Sequence, residues 1–317
     1  MKFFLTLFTF FNILFICGQE IGHMELPRQT YSDFGFNKKV IQEINNSFRM
    51  GENGEELIMT SEKNFDEFGN VINYNHKIPG DYGSTSFEKY VYKNGLLDSV
   101  IRSVNYNSNL NIVQYEYADS VLQKAISTGK YSNYVENFSF KADGKISSIQ
   151  RINEDSTTKK ASFIYIGSLL DHVIEEEVSK YSVQRTYYLY AKGIVFATFK
   201  EDGKRINFRS FENREIRIKN IPGDLFEIAT KCRKDYLESP ELLTKRNEEL
   251  FKNSEIVYSY ITEDNVNKDW IKKYQKGNPF YRKLKTYVFR EIKYADGKVT
   301  GKTEFDRAFE KKVKDLF

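Results

Sequence analysis

The chain has 317 residues, with 48 Lys and Arg against 44 Asp and Glu, and its net charge of +4 is interspersed rather than gathered into a stripe. That pattern is no electrostatic footprint for nucleic acid, so no nucleic-acid partner is expected. Aromatic residues make up 15% (26 Phe, 22 Tyr and one Trp) against five Pro, a bias that suits pleated, half-buried strands.

At the N-terminus Lys2 precedes an uncharged apolar run, residues 3–16, followed by Cys17 and Gly18. The run is short for a membrane-spanning helix, which needs about 20 residues, and suits the apolar region of a secretory signal peptide. Residues 1–18 therefore read as a signal peptide cleaved after Gly18, and the protein as secreted, periplasmic or held at the outer cell envelope. In a second reading Leu14-Phe15-Ile16-Cys17 resembles a lipobox and Cys17 carries a lipid, although Ile16 stands where the bacterial lipoprotein pattern wants a small residue. Membrane contact is expected only under that second reading. With Cys17 removed or lipidated, Cys232 has no intramolecular partner, and the fold must hold without disulfides.

Residues 19–38 read as a leader, polar at first and containing Pro27. Residues 39–50 and 55–63 then read as strands around a Gly51-Glu52-Asn53-Gly54 turn. From there the chain repeats one unit, clearest in residues 87–102 (FEKYVYKNGLLDSVIR). Tyr90 and Tyr92, two apart, share a strand face, and Asn94-Gly95 before an apolar restart is a strong hairpin signal. Later doublets are Tyr115/Tyr117, Phe138/Phe140, Phe163/Tyr165 and Tyr188/Tyr190, each followed by turn residues and recurring about every 25 residues. Residues 39–221 are thus expected to form an antiparallel meander of hairpins, with turns at Gly69, Gly95, Ser120, Gly144, Gly193 and Gly203. No proline interrupts residues 81–221.

Phe65-Asp66-Glu67-Phe68-Gly69-Asn70-Val71 resembles the tyrosine-aspartate (YD) repeat of the Rhs family, and Phe140-Lys141-Ala142-Asp143-Gly144-Lys145-Ile146 is similar without the Asp after the aromatic. The resemblance spans roughly residues 30–220 and implies a YD-repeat-like secreted bacterial protein. The chain is too short for the toxin-enclosing shell of large Rhs proteins, and that role is not carried over.

Residues 222–317 read as an α+β segment covering the last sheet edge. A helix is expected over 224–238 with Asp224 as N-cap, and a second from Pro240 to about Phe251. A strand is expected at 255–262, a short helix around Trp270, a hairpin about Ala295-Asp296-Gly297, and a final helix capped by Thr303.

Chemistry is sparse. The three His (23, 76 and 172) belong to no metal or catalytic motif, and no phosphate-binding loop, nucleophile elbow or paired cysteines occur, so no catalytic residue, metal or cofactor is assigned. Cys232 falls on the apolar stripe of its helix with Ile228 and Tyr236 and reads as buried and inert. Asp98-Ser99-Val100, Asp119-Ser120-Val121 and Asp155-Ser156-Thr157 resemble an O-glycosylation acceptor of exported Gram-negative proteins, naming Ser99, Ser120 and Ser156, while Asp-Ser is also ordinary turn chemistry.

The leading functional reading is a non-enzymatic exported or envelope protein whose repeat sheet is a scaffold or a surface for a glycan or an envelope protein. Its candidate contacts are Tyr90, Tyr92, Tyr115, Tyr117, Tyr188 and Tyr190, since Tyr offers both a stacking ring and a hydroxyl. The alternatives are a secreted hydrolase of envelope or extracellular polymer using carboxylates, and more weakly a toxin-associated or immunity protein. Intact-mass measurement of the exported chain is expected to show Gln19 as the first residue; a diacylglycerol adduct on Cys17 would establish the lipoprotein reading instead.

Overall fold

The computed structural model describes Met24 and residues 26–80, 83–104, 111–130, 133–211, 214–252, 254–277 and 285–316. The signal peptide, with Cys17, and His23 lie outside these residues.

After a single 3-10 turn at Tyr31–Phe34 the chain enters a run of antiparallel strands. The first nine are β1 (Val40–Gly51), β2 (Gly54–Phe65), β3 (Val71–Ile78), β4 (Ser84–Lys93), β5 (Leu96–Val104), β6 (Asn111–Ala118), β7 (Val121–Gly129), β8 (Tyr134–Phe140) and β9 (Ile146–Asn153). They continue through β10 (Thr158–Ile166), β11 (Leu169–Val178), β12 (Val183–Ala191), β13 (Ile194–Lys200), β14 (Arg205–Phe211) and β15 (Arg214–Lys219). Three helices intervene, α1 (Leu225–Glu238), α2 (Pro240–Arg246) and α3 (Glu248–Phe251). The chain ends in β16 (Glu255–Asp264), β17 (Trp270–Gly277), β18 (Lys285–Tyr294), the short β19 (Val299–Gly301) and α4 (Arg307–Leu316).

The hairpin turns fall where the sequence placed them. Asn94 and Gly95 take φ of 52° and 79°, and Asp119 and Ser120 take 48° and 65°, the left-handed pairs that match the twist of a two-residue hairpin. Beside these turns the pairing slips by one residue, at Tyr92, Tyr117, Phe140, Tyr165 and Tyr190. Each second aromatic of a doublet therefore sits at a β-bulge, opposite Leu97, Leu122, Ile146, Leu170 and Val195 respectively. Bulges bend a strand and increase its twist, so the repeat encodes curvature as well as hairpins.

That curvature is carried to completion. Every strand from β1 to β18 pairs with its successor, and β18 pairs back with β1 from Val40↔Tyr294 to Arg49↔Thr286, closing an 18-stranded barrel. The YD-repeat resemblance is thereby corrected: the meander is not an open Rhs-type sheet, because its first and last wall strands are hydrogen-bonded neighbours. The turn-and-doublet grammar specifies a bulged hairpin, and bulged hairpins serve open and closed sheets alike.

Closure also changes the reading of residues 222–317. The wall continues past Pro222 through β15–β16 pairing, so β16, β17 and β18 complete the ring and no last edge remains to be covered. Helices α1 and α2 instead pack on one flank of the wall, burying Leu225, Ala229, Cys232 and Leu243 against Leu189, Phe196 and Phe208. Helix α4 covers a second flank, with Phe309 and Val313 on Tyr274, Tyr287 and Phe289.

Asp224 caps α1 as expected, accepting from the backbone N–H of Phe226 and Glu227. At α4, however, Asp306 rather than Thr303 is the cap, accepting from Ala308 and Phe309. The segment around Trp270 is strand β17 rather than a helix. The Asn265 side chain gathers the N–H groups of Asn267 and Asp269 into a turn, and cross-strand pairing with β16 and β18 then overrides local propensity.

Ile44 and Glu291 are register partners on the outer face across the closing seam. Replacing both by Cys is expected to give an intramolecular disulfide on mild oxidation, because neighbouring antiparallel Cα atoms lie about 4.5–5.5 Å apart. Two persistently free thiols would show an open sheet.

Candidate functional site

Following the register from strand to strand assigns every wall residue to one of two faces. Glu43, Lys63, Tyr74, Glu88 and Arg102 are successive partners across β1 to β5 and share one face. The same face carries both members of the doublets Tyr90/Tyr92, Tyr115/Tyr117 and Phe138/Phe140, and continues to Phe163, Val173 and Tyr188. It holds nearly buried charges: Glu43 is 3% exposed, Lys63 8% and Arg290 5%. This is the inner wall. Two of the apolar clusters follow consecutive strands around it, and a ring of 18 strands is too wide for side chains to fill.

Where no helix lies on it the outer wall carries an apolar row, Ile126, Val135 and Ile152 across β7 to β9, beside a polar one. Lys124, Asn137, Gln150, Lys160, Glu176 and Arg185 are successive register partners from β7 to β12, a polar belt across the middle of the strands. A barrel immersed in lipid presents an outward apolar band about 25 Å tall; here a polar belt crosses the middle of the outer strands, and the inner wall carries rings together with buried charges. Among the described residues no helix is long and apolar enough to cross a membrane.

The seam of the ring holds the densest electrostatics. Glu43 of β1 takes the Lys63 ammonium of β2 at 2.8 Å and the Arg290 guanidinium of β18 at 2.6 and 2.7 Å. Burial pushes the Glu43 carboxyl up, but the two cations outweigh it and hold the pKa at about 2. Aromatic faces complete the cluster: Lys63 lies over Phe34 and Tyr74, and Arg290 over Phe36 and Trp270, at 4.2 to 4.6 Å from the ring centroids. Phe34 and Phe36 belong to the leader, which is docked here. Its backbone bonds the wall from Gln29 O to Val71 N and from Tyr31 N to Gly69 O, and the Met24 N–H reaches Glu175 of β11, across the ring.

Further round, charges and tyrosines alternate. Arg102 holds Glu88 at 2.9 Å, the Tyr90 hydroxyl donates to Glu88, and Arg151 grips Glu136 while lying over the Tyr134 ring. Burial raises the phenols of Tyr90, Tyr115 and Tyr188, which stay neutral hydroxyls.

The six candidate tyrosines thus line one surface, the inner wall, but play two parts. The Tyr92 hydroxyl donates to Val71 O and the Tyr117 hydroxyl to Leu97 O, each bonding the backbone of an earlier hairpin beside its turn. These two latch one repeat to the next. Tyr90, Tyr115 and Tyr188 stand further along their strands, among the charges. Tyr190 is half-buried beside the turn at Gly193, opposite Val195.

Of the other candidates, His172 packs on Phe226 of α1 and bonds Asp171, which also takes Arg233, so it fixes α1 to the wall. His76 faces inward against Tyr74, and burial pulls its imidazole below the usual range. Cys232 is fully buried, and burial pushes its thiol up to about 12. Ser120 and Ser156 lie on exposed turns, whereas Ser99 is 9% exposed and bonds Asp98. The inward charges were not singled out from sequence. Their signal was present in the alternation Glu88-x-Tyr90-x-Tyr92 and Tyr134-x-Glu136-x-Phe138, which places carboxylate and ring on one face.

Glu43→Gln is expected to lower stability by about 3–5 kcal/mol, because it leaves two buried cations uncompensated. The stability that Glu43 contributes is present above the unfolded carboxylate pKa of 4.5 and is lost as pH falls from there toward about 2. Melting of the two proteins across that window checks both statements: the difference between them narrows with acid.

No family model matches this sequence, and no curated protein does. Among solved structures the chain is similar to a porin-like protein from Bacteroides uniformis ATCC 8492 at 10% identity and a TM-score of 0.40, covering 80% of this chain and 97% of that one.

Proposed function

We propose that this chain is an exported, non-enzymatic barrel of the cell envelope that holds an extended glycan along its inner wall. The observation that carries the reading is the inner wall of tyrosines set among buried ion pairs, with a polar belt from Lys124 to Arg185 across the outer strands. Tyrosine rings stack on sugar faces, and their neutral hydroxyls exchange hydrogen bonds with sugar hydroxyls. The charged belt across the middle of the outer strands favours a water-exposed barrel in the envelope or medium over one set into a bilayer.

The hydrolase alternative needs two carboxyl groups with divergent pKa values about 5–10 Å apart. Glu43 is depressed and Glu215 of β15 is raised by burial, but they stand four strands apart around the wall, about 19 Å at the usual strand spacing.

Titration of the purified protein with a panel of neutral and acidic oligosaccharides tests the reading. Tyr115→Ala is expected to weaken binding at least tenfold while the protein stays folded, and Tyr117→Phe to lower the melting temperature by a few degrees with binding retained. A wild-type protein that binds no member of the panel would overturn the proposal.

A further inference from the structure

The leader meets the inner wall at two places that differ in kind. From Gln29 to Lys38 it forms a fixed elbow over the seam. The Asp33 carboxylate accepts from the backbone N–H of Gln29 and Thr30 at 3.0 and 2.7 Å, and Gly35, at a φ of 80°, ends the 3-10 turn and redirects the chain. Phe34 and Phe36 meet the Phe65 ring edge-on, the Asn37 backbone and side-chain amides donate to Asp269 at 2.9 and 3.1 Å, and Lys38 pairs with Asp296 at 2.6 Å. At its other end the elbow is bonded to the start of β3: Gln29 O accepts from the Val71 N–H at 2.7 Å, with the Tyr92 hydroxyl 3.3 Å away.

Five residues before Gln29 the leader touches a different part of the ring. The Met24 N–H donates to the Glu175 carboxylate of β11 at 3.2 Å, and Met24 is buried in the apolar cluster that holds Phe138, Phe163 and Tyr188. Glu175 follows Val173 by two residues and so shares the inner face, well inside the strand Leu169–Val178. Val71 and Glu175 stand on β3 and β11, eight strands apart around the ring. Eight strand spacings along the wall come to about 38 Å. Five residues span at most about 18 Å. The leader therefore reaches Glu175 through the lumen and not along the wall.

We infer that the leader is an autoinhibitory strap: its elbow is fixed at the seam, and its arm, from Gln29 to Met24, crosses the lumen and bars an extended ligand from the inner wall until it is displaced. The elbow shares the rings and buried charges of the seam, whereas Leu26 on the arm is 40% exposed, so the arm opens at lower cost than the elbow. A polymer lying along the tyrosines needs the space that Met24 holds. The strap rests on the geometry alone, and what it excludes rests on the glycan reading above.

The experiment uses the exported chain with Tyr115→Cys as a reporter on the inner wall, Cys232 being fully buried. A second form adds Met24→Gly and Glu175→Ala to release the arm, and a third adds Met24→Gly alone. Alkylation by a maleimide-tagged polyethylene glycol is expected to be at least tenfold faster in the released forms, with iodoacetamide rates equal and melting temperatures within a degree or two. Equal polymer rates in folded proteins would overturn the strap. Calorimetric titration with alginate and cello-oligosaccharides, on chains that keep Tyr115, then reads the inhibition. The released chain is expected to bind at least threefold more tightly than wild type. Unchanged affinity would overturn the inhibition. Binding by neither chain, with the polymer rate raised, would overturn the glycan reading and leave the strap standing.

Discussion

The barrel depends on its seam. A meander of 18 strands has two free edges until β1 meets β18, and free edges invite pairing with other chains. Glu43 sits at that junction with one cation from β2 and one from β18, so a single carboxylate ties the first, second and last wall strands. Buried ion pairs are a poor source of net stability, since desolvation consumes most of the attraction, but any slip in register would leave one of these charges without its partner. The triad therefore acts as a register lock. Two leader phenylalanines, Phe34 and Phe36, cover its cations and tie the segment before β1 to the same point.

The rest of the wall obtains its shape from a device repeated at one end. Each doublet places its second aromatic at a bulge beside the turn, and the bulge adds the twist that turns a sheet into a cylinder. Where that aromatic is Tyr92 or Tyr117, its hydroxyl reaches the backbone of an earlier hairpin and fixes the stagger between repeats. Stagger and strand number together set the diameter of a closed sheet. A local pattern of rings and turns thus has a global consequence that no single repeat contains.

The distribution of polarity links the architecture to its use. The inner wall combines aromatic rings with buried charges, and the outer wall carries a polar belt between apolar rows. The helices α1, α2 and α4 cover the outer flanks where the wall turns apolar, at Leu189 and Phe208 and at Tyr287 and Phe289. The inward ion pairs keep carboxylates and guanidiniums in fixed positions along the inner wall.

The hairpins were legible in the sequence because their determinants are local: Asn94-Gly95 requires left-handed φ, and aromatics two apart require a common face. The cap at Asp224, the buried Cys232 and the common face of Tyr90 and Tyr92 were legible for the same reason. The strand at Trp270 was not, since its partners are supplied by β16 and β18 rather than by its own neighbours. Nor was the ring. Whether a bulged meander stays open or closes depends on contacts between residues such as Glu43 and Arg290, 247 positions apart, and no local periodicity carries that pairing. The sequence by itself determined the hairpin unit and which side chains share a face; the closure, and with it which face turns inward, was decided by tertiary structure, because only the accumulated twist of all the strands brings the two edges together.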